Sequence, residues 1–323
     1  MITSKVISVL ESGDLAFGKY VEEFQCKFSK YSGTQYNIGF NSATSGAEAI
    51  WNYIKNQYGS CIIEIPTLSF ASPAYTAKKT GHKVVFVDID DNLQGVFSDN
   101  PLTIKMPISY GGVSIKKPNN GIIVSDSAHS TNTAVGDFCF YSFHPNKPLR
   151  MSQGGIISTN DKSAADFLFK YRNFGRENIG SSYDIVQPGT KSYMTNLDAC
   201  IGIESLKTLS DERGIRKRNH GLFEESKLQK IGRFVRHDYF SSYHLCSIIL
   251  DNSVGIKIRN KFNIPFHYPL LHKTTFWNSS STKKLPNAEN LEKRIVNLPI
   301  HHSIKTSIIK EMIENIYAYV CNI

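Results

Sequence analysis

Several shortages in this sequence each close off a class of protein. None of the six cysteines (Cys26, Cys61, Cys139, Cys200, Cys246 and Cys321) stands in a C-x-x-C pair, so neither a zinc knuckle nor a disulfide framework is offered. They read as small buried apolar residues. No apolar run approaches the roughly 20 residues that span a bilayer. The opening MITSKVISVLESGD lacks both the continuous apolar core and the small-residue cleavage site of a secretory leader. A cytoplasmic protein without a membrane partner is therefore expected. There is no internal repeat, and the one low-complexity tract, the serine run Asn278 to Thr282, reads as a loop. Negative charge is also short: 37 lysines and arginines against 28 acidic residues leave a net charge of +9. The basic residues are spread along the chain, apart from short clusters such as Arg213 to Arg218. A nucleic-acid binder would instead cluster them on one face with interleaved aromatics. A mild positive field suits a smaller anion, such as a nucleotide diphosphate.

What is present is an ordinary globular composition, with 323 residues, 41% hydrophobic and 20% charged, enough for a large core and two packed lobes. After a helical opening, the first two-thirds alternate helical patterns with short β-branched and aromatic runs. That rhythm belongs to an α/β fold with a mostly parallel central sheet flanked by helices. The expected strands are 61–65, 83–89, 102–108, 121–125, 138–143 and 155–158, each apolar enough to be buried on both faces. A long helix is expected from about Asn196 to Arg218. A smaller C-terminal α+β lobe follows, ending in an amphipathic helix, Ile304 to Val320. We set the boundary between a large domain, 1–212, and a small one, 213–323. The crossovers 90–102 and 109–121 are about a dozen residues each, too short for full helices.

Three segments carry chemistry. In Asp137 to Gly155, an apolar strand delivers Ser142 and then, past a proline turn, Lys147. A lysine held in a desolvated pocket loses its proton more readily, as imine formation with an aldehyde cofactor requires; taken alone, it reads far more readily as a solvated loop side chain, and its context has to overturn that. In Ile122 to His129, a buried-looking strand ends in Asp126, at the carboxyl edge where α/β enzymes bind ligands. That carboxylate can pair with a pyridine nitrogen, or cap a helix. His129 lies three residues on. In Phe40 to Ile50, Ser45 and Glu48 have capping-box spacing, so a helix is expected to start there. Its free amides, with the hydroxyls of Thr44 and Ser45, would suit a phosphate. Phe70 offers a flat face for a ring or for the core.

In order along the chain, these segments resemble the DegT/DnrJ/StrS family of sugar aminotransferases, which are fold-type-I pyridoxal-phosphate enzymes. The likeness runs from FGKYVEEFQCKFSKYSGTQYNIGFNSATSGAEAI through SDSAH, YSFHPNKPLRMSQGG and GTKSYMTNLDACIG to FHYPLLH and LPNAENLEKRIVNLPIHHSI. It implies pyridoxal 5'-phosphate as cofactor, with Lys147 forming the Schiff base and shuttling the proton. Asp126 would hold the pyridine nitrogen, His129 the ring oxygen, and Phe70 would stack on the ring. Thr44, Ser45 and Ser142 would hold the phosphate, with Lys191 from the neighbouring subunit of a homodimer whose active sites are shared. The implied substrates are an amino-acid donor, glutamate in most of the family, and a nucleotide-linked keto-sugar; no metal is implied. Three positions depart from the family pattern: Ser125 replaces a glutamate, Gln153 an acidic residue and Ala43 a glycine. The short crossovers depart further, and they leave room for a second reading, a non-transaminating pyridoxal-phosphate protein of the same fold.

Overall fold

A computed structural model of the chain describes residues 2–179, 181–278 and 284–322. Two helices open it, α1 (Ile2–Ser12) and α2 (Lys19–Ser32). In α2 the apolar spacing puts Val21, Phe24 and Phe28 on one buried face, and Gly33, at φ 68°, stops the helix with its amide donating to Ser29 O. The large lobe continues with β1 (Tyr36–Phe40), α3 (Ala43–Tyr58), β2 (Ile62–Pro66), α4 (Ala71–Lys79), β3 (Lys83–Val87), β4 (Ile104–Lys105), β5 (Val124–Asp126), β6 (Phe138–Ser142), β7 (Gly155–Thr159) and α5 (Lys162–Tyr171).

The strands form two ladders, β3-β2-β4 and β5-β6-β7-β1, which are joined by parallel bridges from Lys105 to Ile123 and from Ile108 to Asp126. The result is a seven-stranded sheet in the order β3-β2-β4-β5-β6-β7-β1. All neighbouring pairs are parallel except those made by β7, which runs antiparallel to both β6 and β1. Strands β6 and β7 are buried on both faces apart from the half-buried Ser142, in keeping with their mostly apolar sequences. The six expected strands are all present, although 102–108 shrinks to Ile104–Lys105 with a bridge at Ile108. Strand β1 was not expected. Its polar Asn37 is accommodated in the buried sheet because its side-chain oxygen accepts from Ser32 (2.9 Å) and Ser158 (2.6 Å).

Both short crossovers lack an α-helix, as expected: 88–103 holds turns and 106–123 a single 3-10 turn, Tyr110–Gly112. Loop side chains cover the sheet there instead. Glu64 on β2 faces Lys105 on β4 in register. The Glu64 carboxylate accepts from the backbone and hydroxyl of Ser98 (2.9 and 2.5 Å), and Lys105 Nζ donates to Asn100 O (2.6 Å) and Asn120 Oδ1 (2.8 Å). Two charges withdrawn from water persist only when their hydrogen-bonding capacity is met in this way.

A hairpin, β8 (Arg176–Ile179) and β9 (Ser182–Ile185), leads to the long helix α6 (Asn196–Glu224), capped by Thr195 and packed against α1 and α2. This helix runs unbroken through position 212. Beyond it, an antiparallel sheet of β10 (Gly232–Phe234), β11 (Cys246–Leu250) and β12 (Ile295–Leu298) carries α7 (Gly255–Lys261), α8 (Thr275–Asn278), α9 (Pro286–Arg294) and α10 (Thr306–Cys321). A second core, including Phe223, Ile248, Ile258, Val296, Leu298, Ile309 and Ile316, joins the end of α6, the sheet, α7 and α10, whereas α8 and α9 put Trp277, Ala288 and Leu291 into the core of the large lobe. Of the serine run read as a loop, Asn278 ends α8 and Ser279 to Thr282 lie outside the described residues.

Candidate active site

The carboxyl ends of β5 and β6 and the start of α3 converge on a cavity of about 340 Å³. Strand β6 ends at Ser142, after which the chain doubles back toward β7, with Phe143 N donating to Gly154 O (2.9 Å) and Lys147 N to His144 O (2.9 Å). This tight return holds Lys147 in the cavity wall, with only 9% of its surface exposed. Burial brings its amine down to about 8, a shift that the charge of Asp126 opposes. Asp126, at the end of β5, is 4% exposed, and its Oδ1 accepts from the amide of Ala128 (2.9 Å). Burial pushes its carboxyl up to about 6, against the pull of the Ala128 amide and Lys147. The pair is therefore an anion at neutral pH and an amine that deprotonates with little alkali.

The end of the cavity at the start of α3 is built by close approach. A β-carbon on Gly155 would sit 2.4 Å from the amide nitrogen of Ala43 and 2.6 Å from Ser42 C, so only glycine lets β7 begin against the first turn of α3. As the first two residues of α3, Ala43 and Thr44 have no acceptor within the helix for their amides, and both line the cavity with Ser142. The cap differs from the expected one. Ser42, not Ser45, is the N-cap and accepts from Ser45 N at 3.1 Å, while Glu48 pairs with Lys79. Because Ser45 stands in the first turn, its hydroxyl turns back to Asn41 Oδ1 (2.6 Å) and Ser42 O (2.9 Å), so it is committed to the cap and does not line the cavity.

Phe70 and His129 also line the cavity. His129 is buried; burial and the nearby charge of Lys147 hold its imidazole well below the ordinary range. Its Nδ1 lies 3.1 Å from Gly111 N and its Nε2 2.8 Å from the Tyr268 hydroxyl. Lys191, by contrast, is exposed and lies outside this cavity, bridged to Asn173. Residues to which the sequence assigned no role complete the wall: Tyr110, His144, Asn146, His267 and Tyr268. The segment FHYPLLH was the signal for His267 and Tyr268, and YSFHPNKPLRMSQGG for His144 and Asn146; both pointed to a family rather than to a contact, and Tyr110 had no signal. Among the described residues, no group of three or more histidine, cysteine or acidic side chains is placed to hold a metal ion.

Residues 1–97 and 117–317 match the sequence model of the DegT/DnrJ/EryC1/StrS aminotransferase family. The chain belongs to this family. It is a pyridoxal-phosphate-dependent sugar aminotransferase of fold-type I. The match is interrupted at 98–116, the stretch containing β4 and parts of both helix-free crossovers. The chain is 27% identical to the spore coat polysaccharide biosynthesis protein SpsC of Bacillus subtilis over 96% of its own length and 92% of that protein's. It is 24% identical to GDP-perosamine synthase of Escherichia coli O157:H7, with 93% and 90% covered. Among solved structures, PseC of Helicobacter pylori superposes with a TM-score of 0.90 at 19% identity, covering 98% of this chain and 95% of that one. A sugar aminotransferase from Streptococcus pneumoniae in its PLP-form superposes at 0.86 with 21% identity, covering 97% and 94%. These structures share the fold.

The residues present fit pyridoxal phosphate. A buried amine, a buried carboxylate, free helix amides and an exposed aromatic face meet in one cavity, each matching one chemical feature of that cofactor.

Proposed function

We propose that this chain is a cytoplasmic enzyme that moves an amino group from an amino acid, L-glutamate first among candidates, to a nucleotide-linked keto-deoxysugar in the making of a polysaccharide or glycan precursor. The relatives named for GDP-perosamine synthesis and for UDP-linked amino-sugar transamination support this substrate class. The observation that carries the reading is the shared cavity of Lys147, Asp126 and the start of α3. When bound, pyridoxal phosphate supplies an electron sink for the pair released as the substrate loses its proton. Lys147 attaches the cofactor and, once freed, carries the proton between carbon atoms, a task for a base held about 3 Å from both. Asp126 keeps the pyridine nitrogen protonated, Phe70 gives the ring a face, and Thr44, Ser142 and the helix amides bind the phosphate.

The enzyme acts as a homodimer in this reading, with the partner subunit's Lys191 completing the phosphate site. Exposed apolar side chains near Lys191, among them Phe174, Tyr183, Ile185 and Val186, support a partner surface there. We also propose the lobe division near residue 212, supported by the second core of the C-terminal sheet. Purified protein should be yellow, and borohydride should fix the cofactor to Lys147. A panel of nucleotide-linked keto-sugars with glutamate identifies the acceptor; a colourless Lys147→Ala variant with full transferase activity refutes the assignment.

A further inference from the structure

The crossover from β4 to β5 has no α-helix to lay over the sheet, and a cleft of about 360 Å³ stays open beside it. That volume lies within the range of clefts that hold small molecules, about 300–1,000 Å³. Ser109 and Ser114 of the crossover line one side, Ser127 and Asn132 of the loop after β5 a second, and Asp238 and Phe240 a third. Ser127 extends the ladder of β5, its amide donating to Phe140 O (2.9 Å). Side chains alternate across a strand, so Asp126 lines the active-site cavity while Ser127 lines this cleft. The two hollows share no lining residue. Ser109 and Ser114 belong to the stretch 98–116 that interrupts the family match, so the cleft is part of what sets this chain apart.

Two adjacent serines hold a carboxylate and an amide at the cleft. Ser241 Oγ donates to Asp238 Oδ1 (3.0 Å), as do Ser114 Oγ (2.7 Å) and the amide of Phe240 (3.0 Å). Against partial burial, these bonds keep the Asp238 carboxyl below the ordinary range, so it is an anion at neutral pH. Ser242 Oγ donates to Asn132 Oδ1 (3.1 Å), which leaves the Asn132 Nδ2 hydrogens to be placed. That nitrogen is buried and meets no acceptor among the described residues. A buried donor without a partner costs about 1–3 kcal/mol, which a ligand oxygen would relieve.

Phe240 adds a flat apolar face. It is 65% exposed and stands edge-on to Tyr239, with ring centroids 5.3 Å apart, and Arg213 Nε ties their loop to α6 by donating to Ser241 O (2.8 Å). Among the described residues no lysine or arginine lines the cleft, so a phosphate would find no counter-charge there. An apolar ligand would leave Asp238 and Asn132 unmet. A neutral pyranose meets all three groups: one hydroxyl gives to the carboxylate, its neighbour takes from the amide, and the slightly positive C–H face of the sugar ring lies on the negative face of the aromatic ring.

We propose that this cleft binds a neutral hexopyranose unit, with Asp238 and Asn132 holding neighbouring hydroxyls and Phe240 against the sugar ring, at a site separate from the active-site cavity.

The test is saturation-transfer NMR of the holoenzyme with glucose, galactose, mannose and N-acetylglucosamine in turn, in wild type, Phe240→Ala, Asn132→Leu and Phe70→Ala. Wild type should bind at least one of them saturably, with a Kd on the order of 1 mM. Phe240→Ala and Asn132→Leu should weaken that binding about tenfold or more, and inorganic phosphate should not displace the sugar. Phe70→Ala, altered in the active-site cavity, should bind it as wild type does. Phe240→Ala, changed at an exposed position, should keep the wild-type melting temperature. Absence of saturable binding to all four sugars, wild-type affinity in Phe240→Ala, or displacement by phosphate overturns the proposal. Binding lost in Phe70→Ala and kept in Phe240→Ala puts the sugar in the active-site cavity and overturns it as well.

Discussion

Gly155 begins β7 so close to Ala43 that a β-carbon would stand 2.4 Å from the Ala43 amide. Ala43 opens α3 and its amide has no acceptor within the helix, so the glycine lets β7 begin against the turn proposed to bind the phosphate. Gly155→Ala should push the first turn of α3 out of place, cost about 1–3 kcal/mol of stability, and weaken cofactor binding more than tenfold. Equilibrium dialysis of pyridoxal phosphate, with a urea melt of the apoprotein, checks both effects. Unchanged cofactor affinity would remove the close approach from the account of the site.

The raised carboxyl of Asp126 has a cost in stability with a definite sign. Its folded value, about 6, lies above the ordinary 3.8, so the folded state holds the proton more tightly. That favourable contribution is complete below 3.8 and is lost as pH rises through 6. Apoprotein carrying Asp126→Asn should therefore escape the loss and be more stable than wild type at pH 8, by about 3 kcal/mol. The two proteins should differ least near pH 4, and transaminase activity should be abolished. Thermal melts from pH 4 to 8 measure the difference; a variant less stable than wild type across the range would contradict it.

The proposed homodimer, with Lys191 reaching the partner's site, predicts complementation. Lys147→Ala and Lys191→Ala should each be inactive as pure dimers. When they are mixed as unfolded chains and refolded together, half the dimers are hybrids, and each hybrid contains one site with both lysines and one with neither. About a quarter of wild-type activity should return. No recovery, with hybrid dimers verified by native mass spectrometry, would place Lys191 outside the partner's site.

Glu64 and Lys105 close the sheet where crossover helices are missing. Lys105→Met leaves Asn100 O and Asn120 Oδ1 without their donor and removes the amine that shares Thr103 Oγ1 with the Glu64 carboxylate; it should cost about 1–3 kcal/mol, whereas the double variant with Glu64→Gln should recover part of the loss. Urea unfolding of the single and double variants supplies the coupling. Equal losses in both would mean that the pair does not act together.

Much of this protein was legible along the chain because the signals are local. A buried strand is an apolar run, and a residue at its end is carried to the carboxyl edge of the sheet. Strands β2, β3, β6 and β7, the long helix α6 and the place of Asp126 at a strand end followed from that alone, whereas the choice of Lys147 rested on the family resemblance. Local reading failed where two arrangements were equally local. Ser42 and Ser45 both precede a helical pattern, and the choice of cap fell to Ser42 because β7 meets the chain at Gly154 and fixes the turn before α3. Strand β1 was obscured by Asn37, which becomes acceptable only when Ser158, 121 positions away, offers it a hydrogen bond.

By itself, then, the sequence determined the elements, their order and the chemical identity of the amine and the carboxylate, since each depends on periodicity and on residue type. Tertiary structure decided which side chains meet. Tyr268 reaches His129 from 139 positions away, Lys105 finds its partners in loops that replace helices, and Ser45 spends its hydroxyl on its own cap. The reason is physical: a polar group withdrawn from water must take whatever partner the packed fold brings within about 3 Å, and that choice is settled only when the whole chain has closed around it.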